Sequence, residues 1–207
     1  MARPGAEKPI VKEWLRKWRT DEPSDLVVLN LPFLAKQANK KDREPTGSSL
    51  YHTADMVVAG KLFIGVAFIP NHHHAFVERW KDDQKRYLDF FEEVWVCTTT
   101  RNFTNTFNNT DKRIGIFIVN GTRTLAVVRY ARSMPISEVG KRNISKLLKK
   151  SEITELYDDL GISYRKSHSK DKLLSNMHHV PYEVIKNTVT KSLKKRLAKK
   201  QFTKSSQ

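Results

Sequence analysis

The sequence predicts an α/β (α+β) protein with a mixed central sheet, flanking helices and a helical C-terminal part. Up to about residue 130, short runs of β-branched and aromatic residues alternate with helical patterns. From Ser137 onward, apolar residues recur only at helical spacing. A hydrophobic fraction of 39% in 207 residues is enough to form a core. These observations together predict a sheet followed by helices.

The first third of the chain opens with an amphipathic pattern. Ile10, Trp14 and Trp18 recur every four residues, which predicts a helix with one apolar face. Two adjacent apolar runs turn near Gly60 and predict a β-hairpin. The predicted elements are a helix at 9–19, a strand at 26–34, an exposed loop at 36–49, and hairpin strands at 54–60 and 61–69.

The middle of the chain predicts a crossover helix and a second hairpin. Asn120-Gly121 lies between two apolar runs and is typical of a tight hairpin turn. Threonine and asparagine dominate the residues from 98 to 110, which predicts a loop. The predicted elements are a helix at 75–92, a strand at 94–97, a loop at 98–110, and hairpin strands at 114–119 and 124–130.

Four helices are predicted in the last third, at 137–149, 151–160, 169–177 and 181–200. Gly161 follows the second of them, as expected of a helix C-cap, and Ser169 can cap the third. The predicted domains are a core over 1–135, a basic helical subdomain over 136–200, and a disordered tail over 201–207.

Cysteine content and apolar runs bear on location. The single cysteine, Cys97, excludes an internal disulfide and fits a reducing compartment. The N-terminus lacks the apolar core of a secretory signal, and no apolar run approaches the length of a membrane span. We therefore expect a cytoplasmic protein without a membrane partner, in the host cytoplasm if a phage encodes it.

Positive charge is concentrated in the last third. The formal net charge is +16, and residues 141–207 carry 17 basic and 6 acidic residues. After Glu183 the chain contains no acidic residue. A solvated helix face could carry such charge, but an excess of this size favours a polyanionic partner. We expect nucleic acid, with DNA favoured over RNA.

Two features of this basic region predict where nucleic acid binds. Residues 151–177 form a helix–extension–helix pattern similar to the small SAP-like DNA-binding motif, although a simple packing lobe would look the same. In such a motif, the start of the second helix and nearby cations contact phosphates. The final helix adds a cationic side. The candidate nucleic-acid-binding residues are Arg165, Lys166, Lys170, Lys172, Lys191, Lys194, Lys195, Arg196, Lys199 and Lys200.

The order of elements in the first half carries a family resemblance. A helix bearing a glutamate precedes a hairpin that begins Ala54-Asp55-Met56-Val57-Val58, and a helix containing Gln84-Lys85-Arg86-Tyr87 precedes the strand Val94-Trp95-Val96-Cys97. This order resembles the PD-(D/E)XK, or restriction-endonuclease-like, superfamily over about residues 7–197. It looks closest to a small bacterial and phage branch with a helical C-terminal half.

The resemblance implies a metal-dependent nuclease fold whose active site is degraded. It places Glu13 (or Glu7) at the helix acid and Asp55 at the hairpin aspartate, a metal ligand in active members. The family's Glu-x-Lys would fall on Ala67-Phe68-Ile69, where neither acid nor lysine stands. Losing that charge stabiliser predicts little or no catalysis. Asp55 could instead accept a backbone hydrogen bond, and Glu13 could be an exposed helix charge.

Three functions follow from these observations. The favoured one is a nucleic-acid-binding protein on a degraded nuclease fold, related to phage or mobile elements, which acts in replication, repair or defence and requires no cofactor. The first alternative is an active Mg²⁺-dependent endonuclease that uses migrated residues such as Glu78 or Lys81. The second alternative is a phage-type inhibitor that binds a host protein.

Overall fold

The structure is a computed structural model that describes residues 26–35, 51–69, 74–119 and 125–204. The predicted α+β class with a mixed sheet is confirmed in this part of the chain. None of the described helices combines the length and hydropathy that crossing a bilayer requires. The elements are β1 (Leu26–Ala35), β2 (Tyr51–Ala59), β3 (Phe63–Phe68), α1 (His74–Phe90), β4 (Glu93–Thr99), α2 (Phe103–Asn108), β5 (Gly115–Val119), β6 (Leu125–Arg129), α3 (Glu138–Ser145), α4 (Lys150–Asp159), α5 (Lys170–Ser175) and α6 (Tyr182–Lys204).

The described residues belong to two compact units. The first, which we call the sheet unit, contains most of the mixed sheet with α1 and α2. The second, which we call the helical unit, contains α3 to α6 and also residues 32–35 of β1 and 51–52 of β2. The predicted helix at 9–19, the loop at 36–49 and the turn at Asn120-Gly121 lie outside the described residues.

In the described part of the chain the sheet has six strands, in the order β1 to β6. The predicted first hairpin is confirmed: β2 and β3 are antiparallel, with Met56 opposite Val66 and Ala59 opposite Phe63. The β3–α1–β4 crossover makes β3 and β4 parallel, β5 is also parallel to β4, and β6 returns antiparallel to β5. The sheet is therefore mixed, with β6 last in the strand order.

Aromatic side chains anchor α1 to the sheet. Phe63 stacks on Phe91 with ring centroids 5.5 Å apart, and Phe90 lies 4.7 Å from Phe91. A Cβ at Gly65 would collide with the Phe91 ring, so only glycine fits beneath this contact. These rings hold the crossover helix against β3.

The β4–β5 region contains a second set of buried apolar residues. Trp95 stacks on Phe117 at 4.9 Å, and Cys97, a free cysteine, is buried in the same cluster. Gly115 lies against the Trp95 ring, where a Cβ would collide. This packing explains why Val94 to Cys97 read as a continuous apolar strand.

The predicted loop at 98–110 is wrong in part. Residues 100–102 form a 3₁₀ turn and Phe103–Asn108 form α2. Thr106 is fully buried, and Asn109 Nδ2 donates to the Asn105 carbonyl oxygen at 2.8 Å. Side-chain hydrogen bonds and burial therefore stabilise a helix that composition does not favour.

The helical unit has the four predicted helices with different bounds. Ser137 and Ser169 cap α3 and α5 by accepting backbone N–H groups, and Gly161 follows α4 with a φ of 65°. Helix α3 ends at Ser145, earlier than predicted, whereas α6 continues to Lys204. Residues 201–204, predicted as a disordered tail, are therefore helical. Apolar residues from all four helices form the core of this unit.

Candidate nucleic-acid interface

Asp55, the candidate metal ligand, makes a backbone hydrogen bond between two strands. This half-buried residue of β2 accepts a hydrogen bond at Oδ2 from the Phe68 N–H at 2.8 Å. Burial raises the pKa of the Tyr87 hydroxyl, and the negative charges of Asp55 and Asp83 raise it further. Within the described residues, no group of three or more His, Cys, Asp or Glu side chains could hold a metal ion. Glu7 and Glu13 lie outside those residues.

Asp55 accepts a backbone hydrogen bond, which is the alternative to a role in metal binding. Its carboxylate joins β2 to the end of β3, beside the apolar residues Ala67 and Ile69. Among the migrated candidates, Lys81 is exposed on α1, and the side chain of Glu78 lies outside the description. The hydrogen bond between the strands gives the Asp55 carboxylate a structural role.

The candidate interface lies where α3 ends and α4 begins. The chain leaves α3 in tight turns that place Leu148 fully in the core of the helical unit. Burial of Leu148 leaves Lys146, Lys149 and Lys150 around it on the exposed surface. This turn supplies three cations that the sequence analysis did not single out.

Glu152 organises this turn. Its Oε2 accepts the Lys149 backbone N–H at 2.6 Å, which satisfies a free donor at the N-terminus of α4. Arg196 of α6 donates to the same carboxylate from Nε at 3.0 Å and from Nη2 at 2.6 Å. Arg196 Nη2 also donates to the Leu147 carbonyl oxygen at 2.9 Å. Arg196, a predicted nucleic-acid contact, is thus a structural link between α4 and α6.

Hydrogen bonds join this turn to Lys166, in the segment before α5, and to Lys170, the first residue of α5. Lys170 Nζ donates to the Lys146 carbonyl oxygen at 2.8 Å, and Lys150 Nζ donates to the Lys166 carbonyl oxygen at 3.0 Å. These bonds hold residues that are 16 to 24 positions apart in sequence. We call the resulting group the α4 cluster; its members are Lys146, Lys149, Lys150, Lys166, Lys170 and Arg196.

The close approach of positive charges in the α4 cluster affects the pKa of Lys170. Partial burial lowers the pKa of the Lys170 ammonium, and the positive charge of Arg196 lowers it further. Asp171 and Glu152 oppose this effect. Arg196 neutralises the Glu152 carboxylate, so Glu152 does not offset the positive charge of the neighbouring lysines. The surface that these lysines form is therefore positively charged.

The predicted cations of α6 divide between two sides of the helix. Lys191, Lys194 and Lys195 are exposed and share one face, because residues three and four apart align along a helix. We call these three residues the α6 stripe. Arg196 lies about 145° from the centre of that face at 100° per residue. The side chains of Lys199 and Lys200 lie outside the description.

The helix–extension–helix segment places the remaining candidates near α5. Tyr157 of α4 is buried and donates from its hydroxyl to the Leu173 carbonyl oxygen at 2.5 Å, which fixes α5 against α4. Arg165 and Lys172 are exposed on this segment, and the Lys172 N–H donates to the Ser169 hydroxyl. The signal for Lys146, Lys149 and Lys150 was the sequence Lys-Leu-Leu-Lys-Lys, which runs through the end of one predicted helix to the start of the next.

Comparisons with known proteins revise the family assignment. No curated protein matches the chain. No solved structure matches it either. The family model described as bacteriophage P4 protein cII matches residues 66–207, more than half of the chain.

The PD-(D/E)XK assignment is therefore wrong, because the matching family is a different one and includes most of the region on which the resemblance rested. The pattern of a hairpin, a crossover helix and a strand is shared by many α+β folds, so it did not identify the family. The predicted relation to phage is confirmed, and the chain belongs to the bacteriophage P4 protein cII family.

Proposed function

We propose that this phage-family protein binds nucleic acid, with DNA the expected polymer, through the α4 cluster of its helical unit. The observation that carries the proposal is the pair of hydrogen bonds from Lys150 to the Lys166 carbonyl and from Lys170 to the Lys146 carbonyl. They bring cations from separate segments onto one surface, although like charges repel. A row of phosphates supplies the counter-charge that such a surface lacks.

The geometry supports contact with the nucleic-acid backbone. The ammonium groups of Lys150 and Lys170 are already oriented by backbone carbonyls, so little side-chain entropy is lost when a phosphate binds. Lysine acts on phosphate as a point charge and carries no base information there. The proposed activity is therefore binding of limited sequence specificity, suited to a protein that covers or marks phage or host DNA.

The test compares two triple variants that remove the same charge from the helical unit. The cluster variant is Lys149→Gln, Lys150→Gln and Lys166→Gln, and the matched control is Lys191→Gln, Lys194→Gln and Lys195→Gln in the α6 stripe. Affinity for a duplex DNA and for an RNA duplex of equal length is measured by fluorescence anisotropy over a range of salt concentrations.

We expect the cluster variant to reduce the salt slope of log affinity by about 2–3, since each lost phosphate contact removes about 0.9. The stripe variant should change the slope by less than about 1. Equal effects in the two variants would show that total charge, and not the α4 cluster, determines binding. Absence of binding at low salt would refute the proposed function itself.

A further inference from the structure

A cavity of about 390 Å³ lies within the helical unit, between α3 and the end of α5. One wall comes from residues within 138–145 of α3, and the other from residues within 174–178, where α5 passes into a 3₁₀ turn. We call it the α3 cavity. Sites for small molecules commonly have volumes of about 300–1,000 Å³. The α3 cavity is therefore of a size that suits a compact organic molecule.

Part of the cavity lining is apolar. Leu174 and Met177 line it and are 7% and 2% exposed, so they also belong to the core of the helical unit. Val139 of α3 lines the cavity as well, but is 59% exposed, which leaves much of its side chain in contact with water. Covering such a side chain with an apolar group is favourable, and methionine adapts to the shape of a ligand. This part of the lining therefore favours a ligand with an apolar body.

Hydrogen bonds hold the two walls of the cavity together. Lys141 of α3 donates from Nζ to the His178 carbonyl oxygen at 2.7 Å and lies 3.7 Å from Glu138 Oε1. The Ser145 hydroxyl donates to the Lys141 carbonyl oxygen at 2.8 Å. The first of these bonds joins α3 to the 3₁₀ turn that follows α5. Because the walls are already ordered, little conformational freedom is lost when a ligand enters.

Arg142 determines the charge that the cavity favours. The charged side chains in its lining are Lys141, Arg142 and Glu138, with His178 neutral at pH 7. Glu138 lies one turn before Arg142, but its carboxylate is paired with Lys141. Arg142 is exposed and forms no ion pair within the described part of the chain, so it leaves one positive charge at the cavity.

The chemistry of arginine selects the group that this charge would bind. A guanidinium presents a planar set of donors that matches the two oxygens of a carboxylate or sulfonate. An anionic group placed at Arg142 would lie beside the apolar lining of the same cavity. Charge complementarity and apolar contact therefore favour the same kind of ligand.

We propose that the α3 cavity binds a small organic anion, whose apolar body packs on the apolar lining and whose acidic group pairs with Arg142. A nucleic-acid strand fits less well, because no Phe, Tyr or Trp among the described residues lines the cavity for a base to stack on. The lining includes no member of the α4 cluster, so this site does not depend on the proposed nucleic-acid binding.

The test titrates the full-length protein with anilinonaphthalene sulfonate, an aromatic anion whose fluorescence rises in apolar surroundings. We expect saturable binding that naphthoate, an aromatic carboxylate, displaces. The neutral compound phenylnaphthylamine has the same apolar body without the sulfonate. It should bind about tenfold more weakly, because it cannot accept a charge-assisted hydrogen bond from Arg142.

Two substitutions at exposed positions of the cavity are each paired with a matched control outside it. Arg142→Gln should weaken binding of the sulfonate about tenfold, whereas Arg101→Gln removes the same charge from an exposed position of the sheet unit and should not. Val139→Ser should weaken binding about threefold or more, whereas Leu160→Ser removes an exposed apolar side chain elsewhere in the helical unit and should not. Circular dichroism confirms that all four variants are folded.

Several results would overturn the proposal. Absence of saturable binding of the sulfonate would show that the cavity is not a ligand site. Equal losses in the cavity variants and their controls would show that the probe binds the surface without selectivity. Equal affinities of the sulfonate and the neutral amine would show that Arg142 does not select an anion. Displacement of the bound probe by a duplex DNA would identify the cavity as part of a nucleic-acid surface.

Discussion

Arg196 and Glu152, 44 residues apart in sequence, form a two-nitrogen ion pair with donor–acceptor distances of 3.0 and 2.6 Å. The pair joins α6 to the first turn of α4, and both side chains are largely shielded from solvent. Glu152 also accepts the Lys149 N–H, so a single carboxylate orders the helix start and the α4 cluster together. The stability of the helical unit and the shape of its proposed interface are therefore linked.

Replacing Arg196 with Ala should destabilise the protein by about 2 kcal/mol, since hydrogen bonds to charged groups contribute about 1.5–3 kcal/mol each and Glu152 would lose its partner. Urea unfolding monitored by circular dichroism measures the change. The neighbouring Lys195→Ala removes the same charge from an exposed position and should alter stability by less than about 0.5 kcal/mol. Equal destabilisation by the two substitutions would show that the ion pair does not stabilise α6 against α4.

Asp55 should act through its hydrogen bond to the Phe68 N–H and not through a metal. We expect Asp55→Ala to cost about 1–3 kcal/mol of unfolding free energy, because a half-buried N–H loses its acceptor. Asp55→Asn retains an acceptor oxygen and should cost less. Urea unfolding of the wild-type protein and of both variants is measured at Mg²⁺ concentrations that differ by tenfold. A stabilisation of wild-type protein by Mg²⁺ that Asp55→Asn abolishes would contradict this assignment.

Asp111 should titrate in an unusually acidic range. Hydrogen bonds from the Arg113 side chain lower the pKa of its carboxyl to about 2 from the ordinary 3.8, and the Arg113 backbone N–H and charge act in the same direction. Because the folded-state pKa is depressed, the stabilisation from this contact is complete above pH 3.8 and is lost as the pH falls toward 2.

Carbon-detected NMR of the Asp111 carboxyl measures this titration directly. In the Arg113→Gln variant the pKa should return toward the ordinary value, and the acid unfolding curve should lose part of its slope between pH 4 and 2. Lys112→Gln changes the neighbouring charge and retains the Arg113 contacts, so it should leave the titration nearly unchanged. A normal Asp111 pKa in wild-type protein would count against the ion pair.

Local signals in the sequence predicted most of the described elements. The apolar runs around Gly60 predicted the β2–β3 hairpin, and Gly161 and Ser169 marked helix ends because their conformational and capping preferences are local. The α2 helix was missed because burial of Thr106 stabilises it, and burial depends on residues distant in sequence. The family was misassigned because the order of a few elements is common to unrelated proteins.

The candidate interface shows the same division between local and distant effects. The sequence by itself determined the class of fold, the excess of positive charge in the last third and the expectation of a polyanionic partner, because composition and periodicity are properties of the chain. Only the tertiary structure decided which cations lie together. Helix packing turns Arg196 inward onto Glu152, leaves the α6 stripe on another face, and brings Lys150 and Lys170 to the carbonyls of Lys166 and Lys146. The direction of a side chain depends on its helical phase and its packed neighbours, which a count of charges does not contain.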